Sequence, residues 1–159
     1  MINKKTISYE AAKNKAENYC IKVERCRQEV IRKLLKWGIT SKDCDKIINE
    51  LVKDRFIDES RYARAFIRDK YRFNGWGRKK IEMSLRMKAV KESDIMEGME
   101  EINQTEYEEI LFNLLKNKKK SVKAENDYEL RAKLLRFAAG RGFEPSLISK
   151  IINTDFQIE

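Results

Sequence analysis

The sequence contains no histidine. That absence removes Ser-His-Asp and Cys-His nucleophile chemistry, histidine-ligated zinc, and the side chain that ordinarily acts as a general base near neutral pH. Proline occurs once and glycine six times in 159 residues, too few breakers for the many turns of an all-β fold. Cysteine occurs three times, as Cys20, Cys26 and Cys44, with no CxxC pair. An odd count with no secretory hydrophobic segment at the start predicts reduced thiols and a cytoplasmic chain. Nothing around them is built to activate a thiolate, so they read as small core side chains. No apolar run approaches the roughly 18 residues needed to cross a bilayer, and no membrane partner is expected.

What is present points to helix and to charge. Charged residues make up 38% of the chain against 42% hydrophobic, a balance that suits elongated helical or repeat proteins with much surface for their core. Ala, Leu, Lys, Arg, Glu and Met dominate, and these favour helix. Lysine and arginine number 35 against 26 acidic residues, for a formal charge of +9 and a pI near 9.4. An excess of that size favours an anionic partner, nucleic acid first, although charge also serves solubility alone.

Hydrophobic spacing predicts an all-α chain. After a polar, frayed start of eight residues, a helical pattern runs from Tyr9 to Lys36 with a break between Lys22 and Cys26. Gly38 stops it, and Thr40 and Ser41 open a helix bearing Ile47, Ile48, Leu51 and Val52 on one side. Asp58 and Ser60 are candidate caps for a helix that ends near Phe73, where Asn74, Gly75 and Gly77 interrupt it. Further helices are expected from Gly77 to Lys88, from a Ser93 cap, from a Thr105/Glu108 capping box, from Asp127 to Ala139, and from Glu144-Pro145 onward. The lysine run 116–120 closes the helix before it, as the helix dipole prefers.

A two-helix plan with a short turn recurs in residues 27–51, 77–102 and 128–152, at intervals of roughly 50 residues. This predicts tandem repeats of three-helix, helix-turn-helix-like bundles forming an elongated chain. The expected divisions are an N-terminal helical extension at 1–22 and repeats at 23–73, 74–120 and 121–159.

The most charged segment is RFIDESRYARAFIRDKYRFNGWGRKKIEMSLRMKAV, residues 55–90. Tyr62, Ala63, Phe66, Ile67 and Lys70 share one stripe, and Arg61, Arg64, Arg68 and Arg72 share the adjacent one. Guanidinium groups suit bidentate contact with phosphate or carboxylate. Gly75-Trp76-Gly77 then leads into Arg78, Lys79 and Lys80 at a helix start, where free amides and basic side chains make a candidate anion site. Arg86 and Lys88 extend the charge; the alternative is a solvated face held by salt bridges to Glu59, Asp69 and Glu82. Asp54, Asp58 and Glu59 do not amount to a metal or acid-base site, because no second carboxylate cluster completes one and Asp58 serves as a cap. No metal, cofactor or catalytic residue is expected. Tryptophan and tyrosine could stack on bases, but at helical spacing they are first read as core.

In FIDESRYARAF, GWGRKKI and LRMKAV the chain resembles the RecX family, and the resemblance runs from about Arg27 to Ile152. Arg55 stands where the family often has glycine, Arg78 replaces a frequent proline, and Ala89 replaces the glycine of a K-G-I turn. The last repeat matches through LLRFAAGRGFEPSLI. The resemblance implies a non-enzymatic monomer that lies along a filament of the RecA recombinase on DNA. It would modulate, mostly inhibit, ATP hydrolysis, strand exchange and filament growth in recombination, DNA repair and the SOS response, with single- or double-stranded DNA as a further partner. A helix-turn-helix DNA regulator acting without RecA is the alternative reading; a nuclease would need a carboxylate cluster that is not found.

Overall fold

The computed structural model describes residues 7–156, so most of the expected frayed start lies outside the described residues. These form nine helices and no strand: α1 (Tyr9–Lys22), α2 (Arg27–Lys36), α3 (Ser41–Lys53), α4 (Glu59–Phe73), α5 (Arg78–Met87), α6 (Glu92–Glu100), α7 (Gln104–Ser121), α8 (Asp127–Gly140) and α9 (Pro145–Asp155). Short polar side chains start several of them by accepting an otherwise unpaired amide proton. Thr40 Oγ1 accepts from the Asp43 amide at 3.3 Å, and Asp58 Oδ1 from the Arg61 amide at 3.0 Å. Asp58 rather than Ser60 caps α4, leaving Ser60 inside the helix, and two further expected caps are elsewhere. The α6 start has Lys91 at the cap position with no side-chain bond, leaving Ser93 inside the helix. Asn103, not Thr105, caps α7 and accepts from the Glu106 amide at 2.9 Å.

The turn after the second helix is the same in each triplet. A residue with left-handed backbone closes it: Gly38 (φ 88°) after α2, Ala89 (φ 58°) after α5 and Gly142 (φ 97°) after α8. The following amide then reaches back to the helix: Ile39 to Leu34 O, Val90 to Leu85 O and Phe143 to Ala138 O, at 3.1–3.2 Å. These three Schellman closures are the physical content of the sequence repeat. α3 ends the same way at Arg55 (φ 61°), with Phe56 N–H on Leu51 O.

The helices pack as α1–α3, α4–α6 and α7–α9, and α4 also packs across onto α7. The divisions expected at 22/23 and 73/74 therefore fall between helices and that at 120/121 falls before the last residue of α7, and each cuts a triplet, since the packing closes one helix earlier. Ala12, Ala16, Val30, Leu34, Ile47 and Leu51, all with no exposure, form the core of α1–α3. A second, continuous core joins the other two triplets through Tyr62, Ile67, Ile81, Leu85, Tyr107, Leu111, Phe143 and Ile148. Burying each such Leu or Ile favours the fold by about 1.5–3 kcal/mol. Cys26, fully buried, precedes α2 yet belongs to this second core, which pegs the first triplet to the rest. All three cysteines are free and buried. Burial pushes the Cys20 thiol up to about 11, so it is not a nucleophile at neutral pH.

Candidate functional site

The α4 arginines sit on one face, as the spacing predicts, but three of them are already engaged. Arg61 pairs through Nε with Glu24 and donates to Arg55 O at 3.0 Å. Arg64 donates to Ser60 Oγ at 3.0 Å and lies 3.8 Å from Glu101. Arg72 holds Glu106 with two bonds, 2.5 and 3.3 Å. Arg68 is exposed, and among the described residues no ion pair reaches it. The carboxylates come from the α1–α2 link, the end of α6 and α7, so the stripe ties neighbouring elements to α4. Between Arg64, Arg68, Arg72 and Glu101 lies a shallow cleft of about 260 Å³. The acidic cluster has local duties too: Asp58 caps α4, and Glu59 Oε1 accepts from the Arg27 amide at 3.3 Å.

The start of α5 is not an open anion site. Gly77 N–H donates to Arg141 O at 2.8 Å, Lys79 N–H to Gly142 O at 3.0 Å, and Arg78 N–H to Tyr107 Oη at 3.0 Å. The amides that a free helix start would offer an anion are thus spent on the third triplet. The two backbones meet so closely that a Cβ on Gly77 would lie 2.2 Å from Gly142 C, and one on Gly142 would lie 2.5 Å from Lys80 N. Gly75 (φ 64°) turns the chain into this joint. Tyr107 completes it by donating to Glu144 Oε1 at 3.1 Å. Burial first, then the neighbouring Glu144, raises the Tyr107 hydroxyl well above the ordinary tyrosine range, which keeps it a donor at physiological pH.

The remaining candidate cations divide the same way. Arg78 lies 3.6 Å from Glu144, donates to Gln104 at 2.7 Å and covers the Tyr107 ring at 4.2 Å. Arg86 holds Glu92 at 2.6 and 3.0 Å, and that hydrogen bond lowers the Glu92 carboxyl below its usual range. Lys88 reaches Glu29 at 3.3 Å. Lys79 is exposed, and Lys80 lies over the Trp76 ring at 4.4 Å, where Lys70 also sits at 4.7 Å. Among the described residues, then, Arg68, Lys79 and Lys80 are the proposed cations that no carboxylate neutralises. Reading along the chain missed a second basic surface, around Phe137, because its residues come from two helices and the lysine run explains itself as a helix end.

Two family models match the chain: "RecX, second three-helix domain" over residues 58–99 and "RecX, third three-helix domain" over residues 105–152. Together they cover more than half of it, along α4–α6 and α7–α9. The chain belongs to the RecX family. Among its RecX relatives, the Regulatory protein RecX of Vibrio parahaemolyticus is 34% identical over 122 residues, covering 76% of each chain. That of Clostridium tetani is 27% identical over 93% of this chain and 70% of its own. The crystal structure of RecX from Lactobacillus salivarius superposes with a TM-score of 0.79 at 22% identity, over 94% of this chain and 97% of that one. A second RecX crystal structure gives 0.83 at 19%, over 91% and 73%. At such identities these two structures speak for the shared all-α repeat fold. Arg55 and Ala89, where the resemblance led one to expect glycine, both adopt the left-handed backbone that such turns require.

Proposed function

We propose that this RecX-family protein is a non-enzymatic cytoplasmic regulator. It binds the filament of the RecA recombinase on DNA and lowers ATP hydrolysis, strand exchange and filament growth. The observation that carries the reading is the pair of RecX three-helix domains, matched in order and locked through Gly77 and Gly142 into one unit with a common core. Such a unit presents a fixed basic surface to a polymer lined with acid and phosphate. Arg68, with Lys79 and Lys80, is the part of the proposed surface free to meet a partner; the paired arginines beside it shape the face.

The helix-turn-helix regulator reading fits the geometry less well. In that mode the last helix of the motif enters the major groove and meets bases and phosphates with basic and amide side chains. In the second triplet that helix, α6, reads ESDIMEGME and carries no basic residue, so it would repel the groove it should enter; α9 offers only Lys150, and in α3 Lys42, Lys46 and Lys53 are matched by Asp43, Asp45 and Glu50.

The test is phosphate release by RecA on single-stranded DNA with ATP as this protein is titrated in. Inhibition should appear as the protein reaches the filament's own concentration. Arg68→Glu should shift half-inhibition upward by roughly 2- to 5-fold, the scale of one exposed charge contact. A flat response at every concentration, joined to tight sequence-selective duplex binding, would sink the proposal.

A further inference from the structure

Phe137 is half-buried, yet it is not among the side chains packed on either core. Its ring lies instead under two cations, Lys118 Nζ at 5.0 Å and the Arg141 guanidinium at 5.1 Å. It lines a groove of about 380 Å³ between the end of α7 and α8, whose other charged walls are Lys118, Lys123, Lys133 and Arg136. Glu129 is the neighbouring carboxylate, and Lys133 holds it at 2.8 Å. Lys123 and Arg136 are exposed, and no ion pair reaches either among the described residues. An aromatic ring outside the core, walled by unneutralised cations, is the chemistry that single-stranded nucleic acid requires: the ring stacks a base and the cations follow the phosphates.

The surface does not stop at this groove. Arg141 donates to Asn74 O at 3.2 Å across the glycine joint. Beyond that contact stands Trp76, partly packed on the core, with Lys70 and Lys80 over its ring and Phe66 edge-on at 6.3 Å. A base arriving on either ring displaces an ammonium group from it, and that ammonium is then free for the adjoining phosphate.

We propose that the Phe137 groove, continued over the glycine joint to Trp76, is a binding track for single-stranded nucleic acid, with Phe137 as the base-stacking platform and Lys118, Lys123 and Arg136 as phosphate contacts. The ligand class is one the family resemblance already implies, whereas the site is new and shares only Lys80 with the proposed recombinase surface. It needs no second protein, and it lies on different residues from the α4 stripe.

The experiment is fluorescence anisotropy of a labelled oligothymidylate of about 20 nucleotides, longer than the roughly 4–16 nucleotides that such grooves occupy, with the full chain and no recombinase present. A duplex of equal length is run beside it. Phe137→Leu, which keeps apolar bulk but has no π-face, and Phe137→Ala should both weaken single-strand binding, with Ala losing roughly 5- to 100-fold, the scale of one base–aromatic stack. Duplex binding should change little in either. Lys123→Gln with Arg136→Gln should flatten the salt dependence of single-strand binding by roughly 0.7 log units per cation removed. The proposal is overturned if the oligothymidylate does not bind at low salt. It is equally overturned if the Phe137 and Lys123/Arg136 variants, shown folded by circular dichroism, bind it as the unaltered chain does. That second outcome would leave the groove to an acidic protein segment. Because the recombinase is absent, either failure leaves the ATPase prediction untouched, and a flat ATPase response leaves this site untouched.

Discussion

Arg55 and Ala89 are the two non-glycine residues with left-handed backbone among the described residues. A Cβ in that conformation meets the following carbonyl, at a cost of about 1–2 kcal/mol per residue. Both strained turns survive because the helix-closing bonds from Phe56 to Leu51 O and from Val90 to Leu85 O hold them, and Val90 is buried beneath. Ala89→Gly removes the clash but frees the unfolded chain, so the net gain should be about 0.5–1 kcal/mol, read as a higher urea midpoint with unchanged slope. The side chains that would bind a partner were legible only in part at this scale. A stripe of four arginines shows in the spacing of α4. Its neutralisation does not, because Glu24 and Glu106 lie 37 and 34 residues away in sequence.

At the scale of elements, the joint between α5 and the α8–α9 turn should be the most substitution-sensitive contact outside the cores. Gly142→Ala faces both a φ of 97° and the Lys80 backbone at 2.5 Å; it should destabilise the chain by more than about 2 kcal/mol, strain and overpacking together. Gly140→Ala, two residues away within α8, meets nothing within 4 Å, and should stabilise by about 0.5–1 kcal/mol. Urea unfolding of the two variants side by side checks both signs, and equal midpoints would show that the joint is slack. The helices themselves were readable, since glycines and the Thr40 and Asp58 caps punctuate them; the Asn103 and Asn126 caps emerge only from the structure. The expected Ser93 and Thr105 caps failed because each is the second residue of its helix: Asn103 takes the cap of α7, and α6 starts after Lys91 with no side-chain cap. The use of the α5 amides was not legible, because the acceptors of Gly77 and Lys79 lie in a turn more than 60 residues later and that of Arg78 is the Tyr107 hydroxyl, 29 residues on.

Across the whole molecule, two cores imply two grades of cohesion. The second and third triplets share one apolar core, whereas α1–α3 meets them through Cys26, the Arg61–Glu24 and Lys88–Glu29 ion pairs, Tyr62 donating to Glu29 at 3.1 Å, the Arg27 amide donating to Glu59, and Gln28 donating to Met87 O. Partly exposed pairs of this kind contribute little each and are screened by salt. Glu24→Gln with Glu29→Gln should therefore speed amide exchange in α1–α3 severalfold while α5, α7 and α9 keep their protection. Uniform acceleration in all three triplets would show a single cooperative unit instead. The repeat was visible in sequence only as two-helix segments with matching turns. Which flanking helix completes each bundle depends on side chains such as Tyr62, Ala63 and Ile67 closing over Ile81 and Leu85, and a two-helix repeat carries no information about that.

The glycine contact has a mechanical meaning as well. With two backbones in touch and no side chain between them, a Cβ at either position would push the second bundle away from the third and change the spacing between them. A partner built from equally spaced subunits must offer its landing points at that stride.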